Sequence, residues 1–158
     1  MPITYPTFSS HFNLGGPMGV PKLQPRLTIA DYLKIDRASQ ECYTYLDGEI
    51  FLMAGESPEH GDVSFNLATI IGPQLKRTPC RARTKDTKVR SGPASNTHAN
   101  VSGFFSYPDI VVICGEPEYH DERRDVVTNP KAIFEVLSET TEAFDRGTKF
   151  ERFKTWNP

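Results

Sequence analysis

Residues 109–114 constrain the fold most strongly, because an aspartate is followed there by the uninterrupted apolar run Ile-Val-Val-Ile-Cys. Such a run predicts a strand that is covered on both faces. Residues 132–137, with the sequence Ala-Ile-Phe-Glu-Val-Leu, predict a second buried strand. Helices must pack on a sheet of this kind to cover it, so the predicted class is α/β or α+β.

Capping and turn signals divide the rest of the chain. Thr28 is an N-cap for a short helix, Asp-Gly at 47–48 predicts a hairpin, and Ser57-Pro58 begins a longer helix. A polar strand over about 80–90, a loop to 106, a charged loop over 115–131 and a closing helix to Trp156 complete the predicted order. The longer helix carries an apolar stripe that we expect to face a core: Val63, Leu67, Ile70, Ile71 and Leu75.

Length and composition predict one globular domain. The sequence has 158 residues, of which 37% are hydrophobic and 24% are charged, enough for a single core. No apolar window is long enough for a transmembrane helix, and no secretory signal is visible, so we expect no membrane partner. We place the folded domain at 27–158. Residues 1–26 are expected to form a flexible arm rich in proline and glycine: Pro2, Pro6, Gly15, Gly16, Pro17, Gly19, Pro21 and Pro25.

Cysteine usage and charge exclude further classes. Three cysteines, Cys42, Cys80 and Cys114, form an odd set without a Cys-x-x-Cys pair. This argues against a disulfide scaffold or a zinc ribbon and favours the reducing cytoplasm. A net charge of −2 excludes a globally basic nucleic-acid binder, although a local basic patch remains compatible with it.

Asp109 and Glu135 are the most informative residues, because each is an acid attached to an apolar strand. A buried carboxylate must be paired, hydrogen-bonded or bound to a metal. Taken singly, Asp109 could cap a turn and Glu135 could pair with an arginine. If the two strands are neighbours, both carboxylates converge on one point and form an oxygen-donor site suited to Mg²⁺ or Mn²⁺.

Together with their neighbours, these acids resemble the Uma-type restriction endonuclease family of the PD-(D/E)XK nuclease superfamily. The resemblance covers roughly residues 27–156. It rests on an ordered set of segments: Asp47-Gly48-Glu49-Ile50, Ser57-Pro58-Glu59-His60, Tyr107-Pro108-Asp109, Asn129-Pro130, Glu135-Val136-Leu137-Ser138, and the run over 141–150.

The resemblance implies a restriction-endonuclease-like core, with a central mixed sheet flanked by helices. It also implies Mg²⁺ or Mn²⁺ at Asp109 and Glu135, where the metal activates the water that attacks a phosphodiester bond. DNA is the implied partner. Relatives often form dimers, so a homodimer is left open, although no segment of the sequence marks an interface.

Two departures from the superfamily pattern affect these expectations. The lysine expected two residues after Glu135 is Leu137, and the chain ends before the C-terminal strand that relatives usually have. We predict that Lys149 supplies the missing charge, since a nearby ammonium stabilises a developing oxyanion. Lys149 could instead pair with Asp145 as a solvated salt bridge, in which case Lys88 is the next candidate.

Two further residues match family segments. Glu49 shares a hairpin face with Phe51 and Met53, so it either points towards the metal or is a solvated acid beside a turn. His60 lies on the apolar stripe of its helix, as a catalytic group or as a satisfied core histidine. We include both as candidate catalytic residues.

Residues 76–90 hold seven basic residues and one acid. Charge runs of this kind are usually solvated faces. Alternation along a strand would nevertheless align several of the cations as an edge that contacts the phosphates of a nucleic acid. The nucleic-acid-binding candidates are Arg81, Arg83, Lys85, Lys88 and Arg90.

The sequence therefore predicts a metal-dependent endonuclease that hydrolyses DNA. Two alternatives remain open. One is an inactive nucleic-acid-binding or interaction module on the same fold, which the missing lysine favours. The other is a different metal-dependent hydrolase that uses the same carboxylates.

Overall fold

The computed structural model describes residues 26–53, 55–92, 101–139 and 141–156. The predicted arm lies outside these residues except for Arg26. The helices are α1 (Ile29–Ala38), α2 (Pro58–Leu75), α3 (Glu142–Phe144), a π-helical segment (Asp145–Lys149) and α4 (Phe150–Trp156). The strands are β1 (Tyr43–Leu46), β2 (Glu49–Leu52), β3 (Cys80–Thr84), β4 (Lys88–Ser91), β5 (Phe104–Ser106), β6 (Ile110–Cys114), β7 (Val126–Val127) and β8 (Ala132–Phe134).

The local signals near the N-terminus place α1 and the first hairpin as predicted. The Thr28 hydroxyl accepts a hydrogen bond from the Asp31 N–H, and the Asp31 carboxylate accepts one from the Thr28 N–H, which forms a capping box. The turn between β1 and β2 needs positive φ at both central positions. Asp47 and Gly48 supply it, with φ of 45° and 98°.

The strands form two sheets of a mixed α/β fold, as the class prediction requires. The first has the order β2-β1-β5-β4-β7, with β4 and β7 parallel and the other pairs antiparallel. The second has the order β3-β6-β8 and is antiparallel. The prediction of a single polar strand over 80–90 is wrong. A turn divides the segment, in which the Thr87 N–H donates to the Thr84 carbonyl, and β3 and β4 enter different sheets.

Two apolar clusters form the core. One packs α1 against the first sheet through Tyr32, Tyr45 and Phe105. The other joins the two sheets through Val89, Val111 and related residues: Ile113, Val127, Tyr119, Ile133 and Phe153. The buried strand predicted from residues 109–114 is confirmed, because all of β6 except Cys114 is buried.

Helix α2 begins as predicted, with Ser57 as its N-cap and Pro58 in its first turn. The expectation that its apolar stripe is buried is wrong, because no residue of α2 is buried and the exposed fractions of Val63 and Ile70 are 47% and 60%. Among the described strands, only β3 makes extensive contact with the helix. Periodicity identifies residues that share a face, but it does not determine how much of that face a partner covers.

A disulfide joins Cys80 of β3 to Cys114 of β6, which face each other in the strand register. The cysteine count did not predict this pairing, because an odd count says nothing about which thiols adjacent strands bring together. Cys42 remains free. Among the described residues, no helix is long and apolar enough to cross a membrane.

Candidate functional site

The matched ends of β6 and β8 bring the two predicted metal ligands together. Ile110 pairs with Phe134, so one further step of the antiparallel register places Asp109 opposite Glu135. Opposite residues of an antiparallel pair share one face of the sheet. The sequence predicts Glu135 inside its strand, but it lies one residue past the end of β8. The strand ends there because the N–H of the next residue donates to a side chain and not to the backbone of β6.

That N–H belongs to Val136 and donates to the Asp109 carboxylate, with a distance of 2.7 Å to Oδ2. The bond fixes the orientation of Asp109. His60 approaches the same oxygen from α2, with its Nε2 at 3.4 Å from Asp109 Oδ2 and at 3.0 Å from the Val136 carbonyl. Helix α2 thus reaches the strand ends through its first turn.

Glu56 completes this side of the site. Its carboxylate lies 3.0 Å from His60 Nδ1 and 2.9 Å from Lys85 Nζ. Hydrogen bonds from Lys85 and His60 lower the pKa of Glu56. The ligand atoms of Glu56, His60 and Asp109 lie within 4.8 Å of one another, which is compact enough to hold a metal ion.

Both ring nitrogens of His60 face oxygen acceptors, so the doubly protonated imidazolium satisfies both contacts. Burial lowers the pKa of His60, but the hydrogen bond to Glu56 and the charge of Asp109 outweigh it, and the net pKa is raised. A metal would need the neutral ring. Sequence reasoning missed Glu56; its only signal was its position one residue before the Ser57 N-cap.

Glu135 and Lys149 form the other side of the site. Lys149 Nζ lies 2.8 Å from Glu135 Oε1 and 3.2 Å from Asp145 Oδ1. The exposed fractions of the Glu135, Lys149 and Asp145 side chains are 18%, 9% and 7%, so two carboxylates share one ammonium away from solvent. The pairing expected between Lys149 and Asp145 exists, but it is buried and includes Glu135.

Burial raises the pKa of Glu135 to about 7, and the charges of Asp109 and Asp145 add to the effect while Lys149 opposes it. Glu135 Oε1 is buried and lies 2.8 Å from the Lys149 ammonium. A groove of about 450 Å³ opens beside this acid. Its walls include Ile133, Leu137, Phe150 and Phe153. A ligand in this groove could therefore reach Glu135.

Three predicted site residues lie elsewhere. Glu49 is exposed on β2, the outer strand of the other sheet. Lys88 is 3% exposed and forms an ion pair with Asp36. Arg90 is 6% exposed and its guanidinium donates to His120 Nδ1 at 2.8 Å.

The structure therefore does not align the five predicted nucleic-acid-binding cations on one edge. Lys88 and Arg90 are buried because they follow the turn into β4. Arg81, Arg83 and Lys85 remain accessible: Arg81 and Lys85 are exposed, and Arg83 is partly buried. Of the predicted set, only these three residues are accessible to a ligand.

Comparison with known proteins supports a nuclease-like fold. The family model Uma2, described as "Putative restriction endonuclease", matches residues 29–155. A crystal structure described as a putative nuclease belonging to DUF820 from Anabaena variabilis superimposes with a TM-score of 0.64 at 15% identity. The superposition covers 83% of this chain and 69% of that one. At this identity the likeness shows the fold.

Two curated proteins of Synechocystis sp. are similar in sequence, and both are named as uncharacterized proteins. One, sll1609, is 30% identical over 129 residues, which cover 82% of this chain and 68% of that protein. The other, slr1290, is 31% identical over 134 residues, which cover 85% of this chain and 65% of that protein. The chain thus spans about two thirds of the length of these relatives.

Proposed function

The chain belongs to the Uma2 family, and from this membership we propose that it is a metal-dependent nuclease that hydrolyses phosphodiester bonds of DNA. One observation carries the proposal: Asp109 and Glu135 meet at the matched ends of β6 and β8, with Lys149 Nζ 2.8 Å from Glu135. A pair of acids that can hold a metal, with an adjacent ammonium, can support phosphodiester hydrolysis.

The residues fit a divalent metal. Carboxylate oxygens dominate the donor set, as Mg²⁺ and Mn²⁺ prefer. Asp109 is held in place by the Val136 N–H, and the buried Glu135 Oε1 has Lys149 as its charge partner. Asp109 and Glu135 would hold the metal. Glu56 and His60 form a separate group of possible donors with Asp109, in which His60 would have to be neutral to bind a metal.

A bound divalent metal would lower the pKa of a water molecule and neutralise charge on phosphate oxygens. The chain's own residues support this chemistry. Lys149 carries a positive charge into the site, where it can stabilise negative charge that builds up on the phosphate. Asp145 holds Lys149 in position at 3.2 Å. Glu135 has a pKa of about 7 in the metal-free site, so a metal that binds there would displace its proton.

Arg81 and Arg83 of β3 would contact the DNA backbone, since β3 runs beside β6 towards Asp109. Contacts of this type position a nucleic acid without reading its sequence. The alternative is a binding module that cannot cut. It is favoured by Leu137 in place of the usual lysine and by the engagement of Lys149 with two carboxylates.

Plasmid cleavage tests the proposal. Supercoiled plasmid is incubated with the protein in Mn²⁺ or Mg²⁺, with EDTA as the negative arm. We expect cleavage that EDTA abolishes and that Asp109→Asn reduces by about 100-fold or more, since even partners behind a metal ligand are worth 10–100-fold. The exposed Glu49→Gln is the matched control and should remain active.

Equal cleavage by the wild type and Asp109→Asn would refute the assigned centre. DNA binding by the wild type without cleavage under every metal condition would establish the non-cutting module instead.

A further inference from the structure

Tyr119 lies among arginines from two separate parts of the chain. Arg83 of β3 donates from Nη2 to the Tyr119 hydroxyl at 3.1 Å, and its guanidinium carbon lies 5.9 Å from the ring centroid. The guanidinium carbon of Arg124 lies 5.0 Å from the same centroid. The hydrogen bond from Arg83 and the charges of both arginines lower the pKa of Tyr119.

The tyrosine is a firm support for these cations. It packs against the apolar cluster between the two sheets, and an antiparallel bridge joins it to Val127. Because the hydroxyl accepts from Arg83, its own hydrogen is directed to another acceptor. The arrangement therefore presents one hydroxyl donor and two guanidinium groups to the same region.

No carboxylate neutralises these arginines among the described residues. Asp121 and Asp125, the nearest aspartates in sequence, pair instead with Arg37 at 2.8 and 2.6 Å. The glutamates of the same loop are not buried and form no ion pair in the described part of the chain: Glu116, Glu118 and Glu122. Two cations held together without a counter-charge favour an anionic ligand.

The cluster lies along the path to the candidate metal centre. Arg83 pairs in register with Val111, two residues after Asp109. Lys85, two residues further along the chain, reaches Glu56 at the centre. Alternate strand residues lie roughly 7 Å apart. A strand of DNA bound at Asp109 could therefore place a neighbouring phosphate beside Arg83.

We propose that Arg83, Tyr119 and Arg124 form a phosphate clamp that holds the DNA strand on its way into the metal centre. The proposal rests on the proposed nuclease function for its ligand. Arginine suits this role because its planar donors match phosphate oxygens. Tyr119 and Arg124 were not among the residues that the sequence singled out.

DNA binding in EDTA tests the clamp separately from cleavage. A labelled duplex is titrated by fluorescence anisotropy over a range of salt concentrations. Arg83→Gln and Arg124→Gln should each weaken binding and reduce the slope of log K against log salt by about 0.9. Arg123→Gln removes the same charge from the adjacent exposed position and should leave the slope close to that of the wild type. Thermal melting should show that all three variants fold.

Three outcomes would overturn the clamp. An equal loss of slope in all three variants would indicate diffuse attraction, and no loss in Arg83→Gln and Arg124→Gln would place DNA elsewhere. Inorganic phosphate, titrated separately, distinguishes a free anion: if the two variants lose phosphate binding but keep DNA binding, the ligand is not DNA. A wild type that binds through the clamp but never cuts would contradict the proposed nuclease and leave the clamp standing.

Discussion

Replacing Glu135 by glutamine should stabilise the metal-free protein at neutral and higher pH. Unfolded Glu135 loses its proton near 4.5, whereas the folded protein keeps it until about pH 7. Between these values the folded chain holds one proton more than the unfolded chain, so the free energy of unfolding falls as pH rises. The glutamine amide is neutral in the folded and the unfolded chain, so it does not lower the free energy of unfolding as pH rises.

The size of the effect follows from the pKa. A rise from 4.5 to about 7 corresponds to roughly 3 kcal/mol, at about 1.4 kcal/mol for each pH unit. The stability of Glu135→Gln minus that of the wild type should therefore grow from near zero below pH 4.5 to about 3 kcal/mol above pH 7. Since His60 titrates in both proteins, the difference isolates Glu135.

Urea unfolding in EDTA at a series of pH values measures this difference. Glu139→Gln, at an exposed position four residues along the chain, is the matched control and should follow the wild type. Parallel curves for Glu135→Gln and the wild type would contradict this prediction, because they would mean that Glu135 titrates alike in the folded and unfolded chains.

Two further predictions concern Lys149 and the disulfide. Lys149→Met should reduce DNA cleavage tenfold or more, the loss of at least about 1.4 kcal/mol of transition-state stabilisation, with Mn²⁺ binding retained by calorimetry. The exposed Lys154→Met on the same helical run is its control, and an unchanged rate in Lys149→Met would remove the catalytic role. Opening the Cys80–Cys114 disulfide, which closes a loop of 34 residues, should lower the free energy of unfolding by about 3.8 kcal/mol on the chain-entropy relation. Urea unfolding of Cys80→Ser against Cys42→Ser checks this value, and equal stabilities would show that the crosslink does not contribute.

Short-range chemistry accounts for the parts of the fold that the sequence predicted. The Thr28 cap, the Asp47-Gly48 turn and the Ser57-Pro58 helix start depend on residues within a few positions of one another. Strand β6 was recognisable because burial on both faces leaves a continuous apolar run. The meeting of Asp109 and Glu135 followed from the assumption that their strands are neighbours, which the β6–β8 pairing confirms.

The features that sequence reasoning missed depend on distant contacts. The turn at Thr84 and Thr87 sends β4 into the other sheet, so Lys88 becomes buried against Asp36, and no local signal reports this. Glu56 contacts Lys85 and Tyr119 contacts Arg83, and both partners are far away in sequence. His60, the other partner of Glu56, is the one that lies nearby. Strand β7 has two residues, too few to produce a periodic pattern.

Crystals soaked in Mn²⁺, with the anomalous signal of the metal measured, would show whether Asp109 and Glu135 hold a metal. We expect an anomalous peak within ligand distance of Asp109 and a carboxylate oxygen of Glu135, with Val136 still donating to Asp109. The same soak of Asp109→Asn should lack the peak. A peak elsewhere, or none at Asp109 while its contact with His60 persists, would contradict a metal centre at the ends of β6 and β8.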